Sequence, residues 1–198
     1  MPGGVRQHRQ IDAQQFQAGV VALFSGRFKQ DAHIGSHRKP GVLRQFAFEL
    51  TRLPAGVADE HVLVEINLTS NDVILGISGK NHPFSLYRKF GVPVALSTDD
   101  EGVARIDLTH EYVRAVETYD LNYADLKQMV RNSLEYSFLP GASLWQQPDK
   151  GAHAVSECGS DALGAEKPSP SCAAFLKASE KASQQWELER RFHAFETS

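Results

Sequence analysis

Long apolar runs are missing from this chain, and that absence is the first constraint. No window approaches the ~20 uninterrupted apolar residues that a bilayer-crossing helix needs. The opening "MPGGVRQHRQ" lacks the apolar stretch of a signal peptide, so no export signal is expected at this N-terminus. Basic charge is not in excess either: 21 Lys+Arg against 24 Asp+Glu leave a net charge of −3. A nucleic-acid partner is therefore not expected, since such binding rests on cationic side chains meeting phosphates. Cysteine is scarce, with Cys158 and Cys172 alone, and both fall in one segment. Two thiols there either close a small ring in an oxidising compartment or stay free in the cytoplasm. The two cysteines give a lean toward a periplasmic or secreted parent protein, with the cytoplasm as the alternative.

What is present divides near residue 57. Up to Val57 there are 8 Lys+Arg and 3 Asp+Glu, a net of +5; the remaining 13 basic and 21 acidic residues give −8. Residues 1–57 show weak periodicity, with a short strand at Val20 to Phe24 and a short helix around Val42 to Leu53 as the only elements expected. Regular pattern begins afterwards. "HVLVEINL" reads as a buried strand, "TSND" as a turn, "HPFSLYRKFG" as a short amphipathic helix stopped by Gly91, and "VPVALS" as a second strand. Asp107 or Thr109 can cap a helix whose Leu108, Tyr112, Val113 and Val116 share a face. Asn122 can cap another carrying Leu126, Met129, Val130 and Leu134. Strands alternating with amphipathic helices predict an α/β architecture with parallel strands. The stretch 146–172, rich in Gly, Ser, Pro and Ala, predicts a long surface loop, and 173–198 a terminal amphipathic helix. On that helix Phe175, Ala178, Ala182 and Trp186 form one stripe and Leu188, Phe192 and Phe195 a second, displaced one.

Chemistry-bearing residues concentrate where the second strand stops, at Thr98-Asp99-Asp100. In parallel α/β folds ligands bind beyond the carboxyl ends of the strands. Two adjacent carboxylates repel unless a cation or a hydrogen-bonding ligand resolves the conflict. The plain alternative is that one of them caps the next turn. A Mg²⁺-dependent phosphoryl-transfer site would bring a Gly-rich phosphate loop or a positioned Lys, and "TDDEGVARIDLTHEY" has neither. Glu65, inside an apolar strand, either points into a closed barrel or pairs with a basic group, the pairing being favoured. His61, His82, His110 and His153 share no metal-ligand spacing and read as solvated or capping residues.

The segments "VEINLTSNDVILG", "HPFSLYRKFGVPVALSTDDEGV", "LTHEYVRAVETYDLNYADLKQMVRNSLEYSFLPG" and "QQWELERRF", taken together, resemble the C-terminal part of the metal-dependent adenosine deaminase family. The likeness is continuous from about Ala58 to Pro140 and looser to the end. It implies the C-terminal portion of a (β/α)8 TIM-type barrel, incomplete here, with residues 58–145 as its deaminase part and 1–57 as a divergent segment. It also implies one Zn²⁺, with Asp99 as a metal ligand and Asp100 in contact with a purine nucleoside, while Ser70 and Asn71 shape the rim. Zinc-activated water would convert adenosine to inosine and ammonia. Departures from the family pattern are equally specific: there is no His-x-His, and His33 and His37 in "AHIGSHRKPG" are the nearby candidates for further ligands. A chain that holds only the end of such a barrel is expected to be weakly active or inactive alone. The alternative is a non-catalytic remnant that self-associates, or binds a partner, through open barrel edges.

Overall fold

The computed structural model describes residues 62–147 and 153–198. The strand expected at Val20 to Phe24, the helix around Val42 to Leu53, and both His33 and His37 lie outside the described residues.

Two short strands, β1 (Val64–Ile66) and β2 (Val94–Leu96), pair in parallel with Val64 opposite Val94 and Ile66 opposite Leu96. Between them the chain forms helix α1 (Leu68–Leu75), a 3-10 turn at Gly79–Asn81 and helix α2 (Phe84–Lys89). Gly91, with φ of 69°, takes the left-handed conformation that ends α2 and turns the chain toward β2. After β2 come α3 (Glu101–Ala104), α4 (Leu108–Tyr119) and α5 (Tyr123–Glu135). The caps of α4 and α5 match the sequence. The Asp107 carboxylate accepts from the His110 backbone N–H at 2.8 Å, and Asn122 and Asp125 form a reciprocal capping box.

One face of the strand pair packs on these helices. Ile66, Val94 and Leu96 join Phe84, Tyr112, Ala115, Leu126, Met129, Val130 and Leu134 in the main core. Asn132 of α5 pins the helix to the sheet, its Nδ2 donating to the Val94 carbonyl at 2.9 Å. Because side chains alternate along a strand, Glu65 falls on the opposite face, where it is exposed. The favoured ion pair for Glu65 does not occur among the described residues.

The stretch "TSND" is helical rather than a turn. It lies within α1, whose own N-cap residue, Asn67, makes no side-chain cap bond. The cap comes from α4 instead: the wholly buried Glu111 carboxylate accepts from the backbone N–H of Leu68 at 2.8 Å and of Thr69 at 3.2 Å. It thereby satisfies two helix-end donors and places negative charge at the positive end of the helix dipole. Arg114, one turn further along α4, donates to Thr69 Oγ1 at 3.0 Å and forms an ion pair with Asp72.

The C-terminal region departs further from expectation. Residues 153–172 do not form a bare loop. Ala154 bridges to Trp145, a 3-10 turn occupies Ser156–Cys158, and α6 (Pro170–Ala178) starts before residue 173 with Pro170 in its first turn. Apolar burial explains the order: Leu144, Trp145, Cys158, Cys172, Ala182 and Trp186 form a second core, and Cys158 and Cys172 are joined in a disulfide inside it. The terminal helix is also divided. Ser179 is extended (φ −130°) and caps α7 (Glu180–Glu196), accepting from the Ala182 N–H at 3.1 Å. Its two apolar stripes serve different cores, Ala182 and Trp186 the second, Leu188 and Phe192 the first. Between the cores the Arg131 guanidinium grips Glu189 with two 2.7 Å bonds, a planar fork meeting a carboxylate.

Glu111→Ala is expected to lower stability by about 2–3 kcal/mol, since two buried N–H groups lose a charged acceptor. Glu111→Gln, which keeps one acceptor, should cost less, and urea denaturation that ranks the two variants alike would contradict the cap. Replacing both cysteines by alanine, which opens a ring with a sequence separation of 14, is expected to cost about 3 kcal/mol. An unchanged melting transition for that variant would mean the second core holds without its cross-link.

Candidate functional site

The carboxyl ends of β1 and β2 bring the sequence-flagged residues together. Ser70, buried at the start of α1, donates from its Oγ to Asp99 Oδ2 at 2.8 Å. The two residues come from the separate strand-end segments. The Glu111 cap fixes α1 one residue before Ser70, so Asp99 is held by a hydroxyl whose backbone is itself anchored in the core.

Asp99 sits at φ 52°, in the left-handed region that side chains with a Cβ rarely adopt and Asp tolerates better than most. The chain thus turns sharply out of β2, with Thr98 buried and Asp99 and Asp100 exposed. The Asp99 carbonyl accepts from the Glu101 N–H at 2.9 Å and closes the turn. Strain of this kind clusters at functional sites. Asp100 occupies the N-cap position of α3, its carbonyl accepting from Val103 and Ala104, but its carboxylate makes no capping bond. The capping alternative for the acidic pair is therefore not realised by either side chain.

Asn71, next to Ser70, lies against a residue the sequence did not connect to it. His82 is only 4% exposed, and its Nε2 stands 2.8 Å from the Asn71 amide. Its Nδ1 accepts from the Phe84 N–H at 3.1 Å, which caps the start of α2. The capping role was legible from His-Pro at a helix start; burial beside the strand ends was not, because it depends on the path of the whole β1–β2 crossover. Burial and, after it, the Arg114 charge hold the His82 pKa below the ordinary histidine value.

Among the described residues no group of three or more His, Cys, Asp or Glu side chains converges as a metal site. A catalytic zinc takes about three protein ligands, so Asp99 with the described residues does not fit one. Nor is any helix among the described residues long and apolar enough to cross a membrane.

The fold and site together define a parallel α/β unit with an acidic pair at its strand ends. Comparison with known proteins makes this specific. The family model described as adenosine deaminase matches residues 43–145, and the chain belongs to the adenosine deaminase family. The match begins upstream of Ala58, about where the sequence likeness starts. An adenosine deaminase of Clostridium acetobutylicum is 31% identical over 94 residues, and one of Aliivibrio fischeri 35% identical over 94 residues; each match covers 47% of this chain and 28% of the relative. The matched stretch thus spans less than a third of the curated relatives. No solved structure matches at comparable significance. The lean toward an exported parent is corrected by these matches: they are to proteins described simply as adenosine deaminases, and the Cys158–Cys172 bond by itself assigns no compartment.

The depressed His82 pKa carries a pH prediction. The unfolded chain binds a proton near the ordinary value of 6.5, whereas the folded chain resists it. The stabilising contribution is whole above that value and is lost as pH falls through the folded pKa. Stability should therefore decline on acidification below about 6.5, and His82→Gln should flatten that decline. Parallel pH profiles for the two proteins would show that another group governs it.

Proposed function

We propose that the chain carries the acidic strand-end part of a hydrolytic deaminase acting on a purine nucleoside, with adenosine as the first candidate. In that reaction water adds at the ring carbon bearing the amino group and ammonia departs, leaving inosine. The observation that supports it is the deaminase match over residues 43–145, which contains the Ser70–Asp99 contact at the ends of two parallel strands. In this reading Asp99, steadied by Ser70, faces the reacting centre, and Asp100, whose carboxylate is not used in capping, meets the imidazole edge of the purine. The strand pair is then two neighbouring units of a (β/α)8 barrel, with Glu65 on the inward face. Zinc belongs to the same reading, but the described residues do not complete a set of ligands for it.

A second reading, a remnant that self-associates, is favoured by Val73, Ile74 and Leu75, 65%, 57% and 44% exposed at the end of α1. Consecutive exposed apolar side chains mark contact surfaces. Sedimentation equilibrium showing a monomer throughout would remove it.

Calorimetric titration of adenosine into the purified chain and into Asp100→Ala tests the deaminase reading, with ammonia release followed alongside. Wild type is expected to bind, Asp100→Ala to bind about tenfold more weakly, and turnover to be slow. Failure of wild type to bind adenosine, or equal binding by both, overturns the reading.

A further inference from the structure

We infer that Asn71 is a ligand-binding hydrogen-bond donor, its amide turned by the imidazole of His82 so that the carbonyl oxygen faces the ring and the NH₂ group is the open end, one residue from the Ser70 that holds Asp99. This rests on the deaminase reading for the identity of the ligand, a purine nucleoside, but not for the orientation of the amide.

The orientation follows from donors and acceptors. A backbone N–H can only donate, so the 3.1 Å bond from Phe84 N makes His82 Nδ1 an acceptor with no proton. The ring proton of the neutral imidazole is then on Nε2, which must donate. The atom placed 2.8 Å from it is Asn71 Nδ2; two donors cannot bond each other, so the amide is turned over and Oδ1 is the atom that accepts there. The two ends of an amide are alike in shape, and the hydrogen-bond network assigns them. The other end of the amide makes no hydrogen bond among the described residues and is not a buried unpartnered atom, since Asn67 Oδ1 is the one such side-chain atom among them. With Oδ1 committed to His82, that open end is the NH₂ group.

The consequence is chemical. Asp99 and Asp100 offer acceptors at the strand ends, and Asn71 adds a neutral donor one residue from Ser70. A nucleoside presents donors and acceptors together: an exocyclic amine, ring nitrogens and ribose oxygens. Asn71 meets one of its acceptor atoms, and His82 is the positioning residue that prevents the amide from turning over. A buried histidine at this place thus has a use that capping α2 alone does not require.

Nitrogen-15 NMR of the histidine rings at mildly alkaline pH tests the orientation without any activity. A neutral Nε2–H tautomer for His82 is expected, and an Nδ1–H tautomer overturns the inference. Adenosine titration of Asn71→Asp under the same conditions tests the donor. This variant keeps an oxygen toward His82 and replaces the outward NH₂ with an oxygen. Affinity is expected to fall about tenfold with the His82 tautomer unchanged. If wild type binds and Asn71→Asp binds equally well, the donor role fails while the deaminase reading stands. If wild type binds no nucleoside, both the deaminase reading and the ligand role of Asn71 fall.

Discussion

A buried carboxylate on one helix that caps the start of another is the constraint on which the strand-end region depends. Glu111 has no exposure, and its oxygens meet the first N–H groups of α1. Burying a carboxylate is costly unless it is well hydrogen-bonded, and a helix end buried without a cap is costly for the converse reason. Each defect is relieved by the other. That mutual dependence fixes the rotation of α1 about its axis, and the rotation decides that Ser70 reaches Asp99 while Asn71 reaches His82. The Arg114 bonds to Thr69 and Asp72 reinforce the same register from the same face of α4.

This arrangement also shows why part of the region was readable from sequence and part was not. The caps of α4 and α5 are local signals, Asp107 and Asn122 standing just ahead of an apolar period, and both recur in the structure. The acidic pair was legible as a strand end because apolar residues stop there. Helix α1 was not, since its cap lies 43 residues away in sequence and nothing nearby in "NLTSND" announces it. The Ser70–Asp99 bond likewise joins residues 29 apart, and only parallel pairing of β1 with β2 makes them neighbours. His82 looked like a capping residue and is one; its second contact is non-local and had no signature.

The C-terminal region fails the compositional reading for a different reason. Gly, Ser and Pro usually mark chain that cannot bury enough apolar surface to offset its ordering entropy. Here Leu144, Trp145 and Trp186 supply apolar surface from outside the segment, and the disulfide reduces the entropy lost on ordering it. Gly164 shows how close the approach is. It has φ of 74°, and a Cβ there would lie inside van der Waals contact of the Arg190 backbone nitrogen. A glycine that reads as flexibility in the sequence serves as clearance for a segment packed on α7. The two apolar stripes of the terminal helices are likewise explained by two separate cores rather than one twisted surface.

The relation between these regions bears on how the strand ends are held. Helix α5 lies between them: Asn132 bonds to β2, while Arg131, the preceding residue, grips Glu189 of α7 and stacks over Trp145 of the second core. Adjacent residues on a helix point in directions about 100° apart, so α5 serves both contacts without distortion. The second core therefore braces the helix that braces β2, at whose end Asp99 takes its left-handed conformation. A strained backbone persists only where its surroundings over-determine it. At Asp99 those surroundings are the Ser70 hydroxyl on one side and a strand pinned by α5 on the other, so the geometry of the acidic pair is set by residues from α1 to α7.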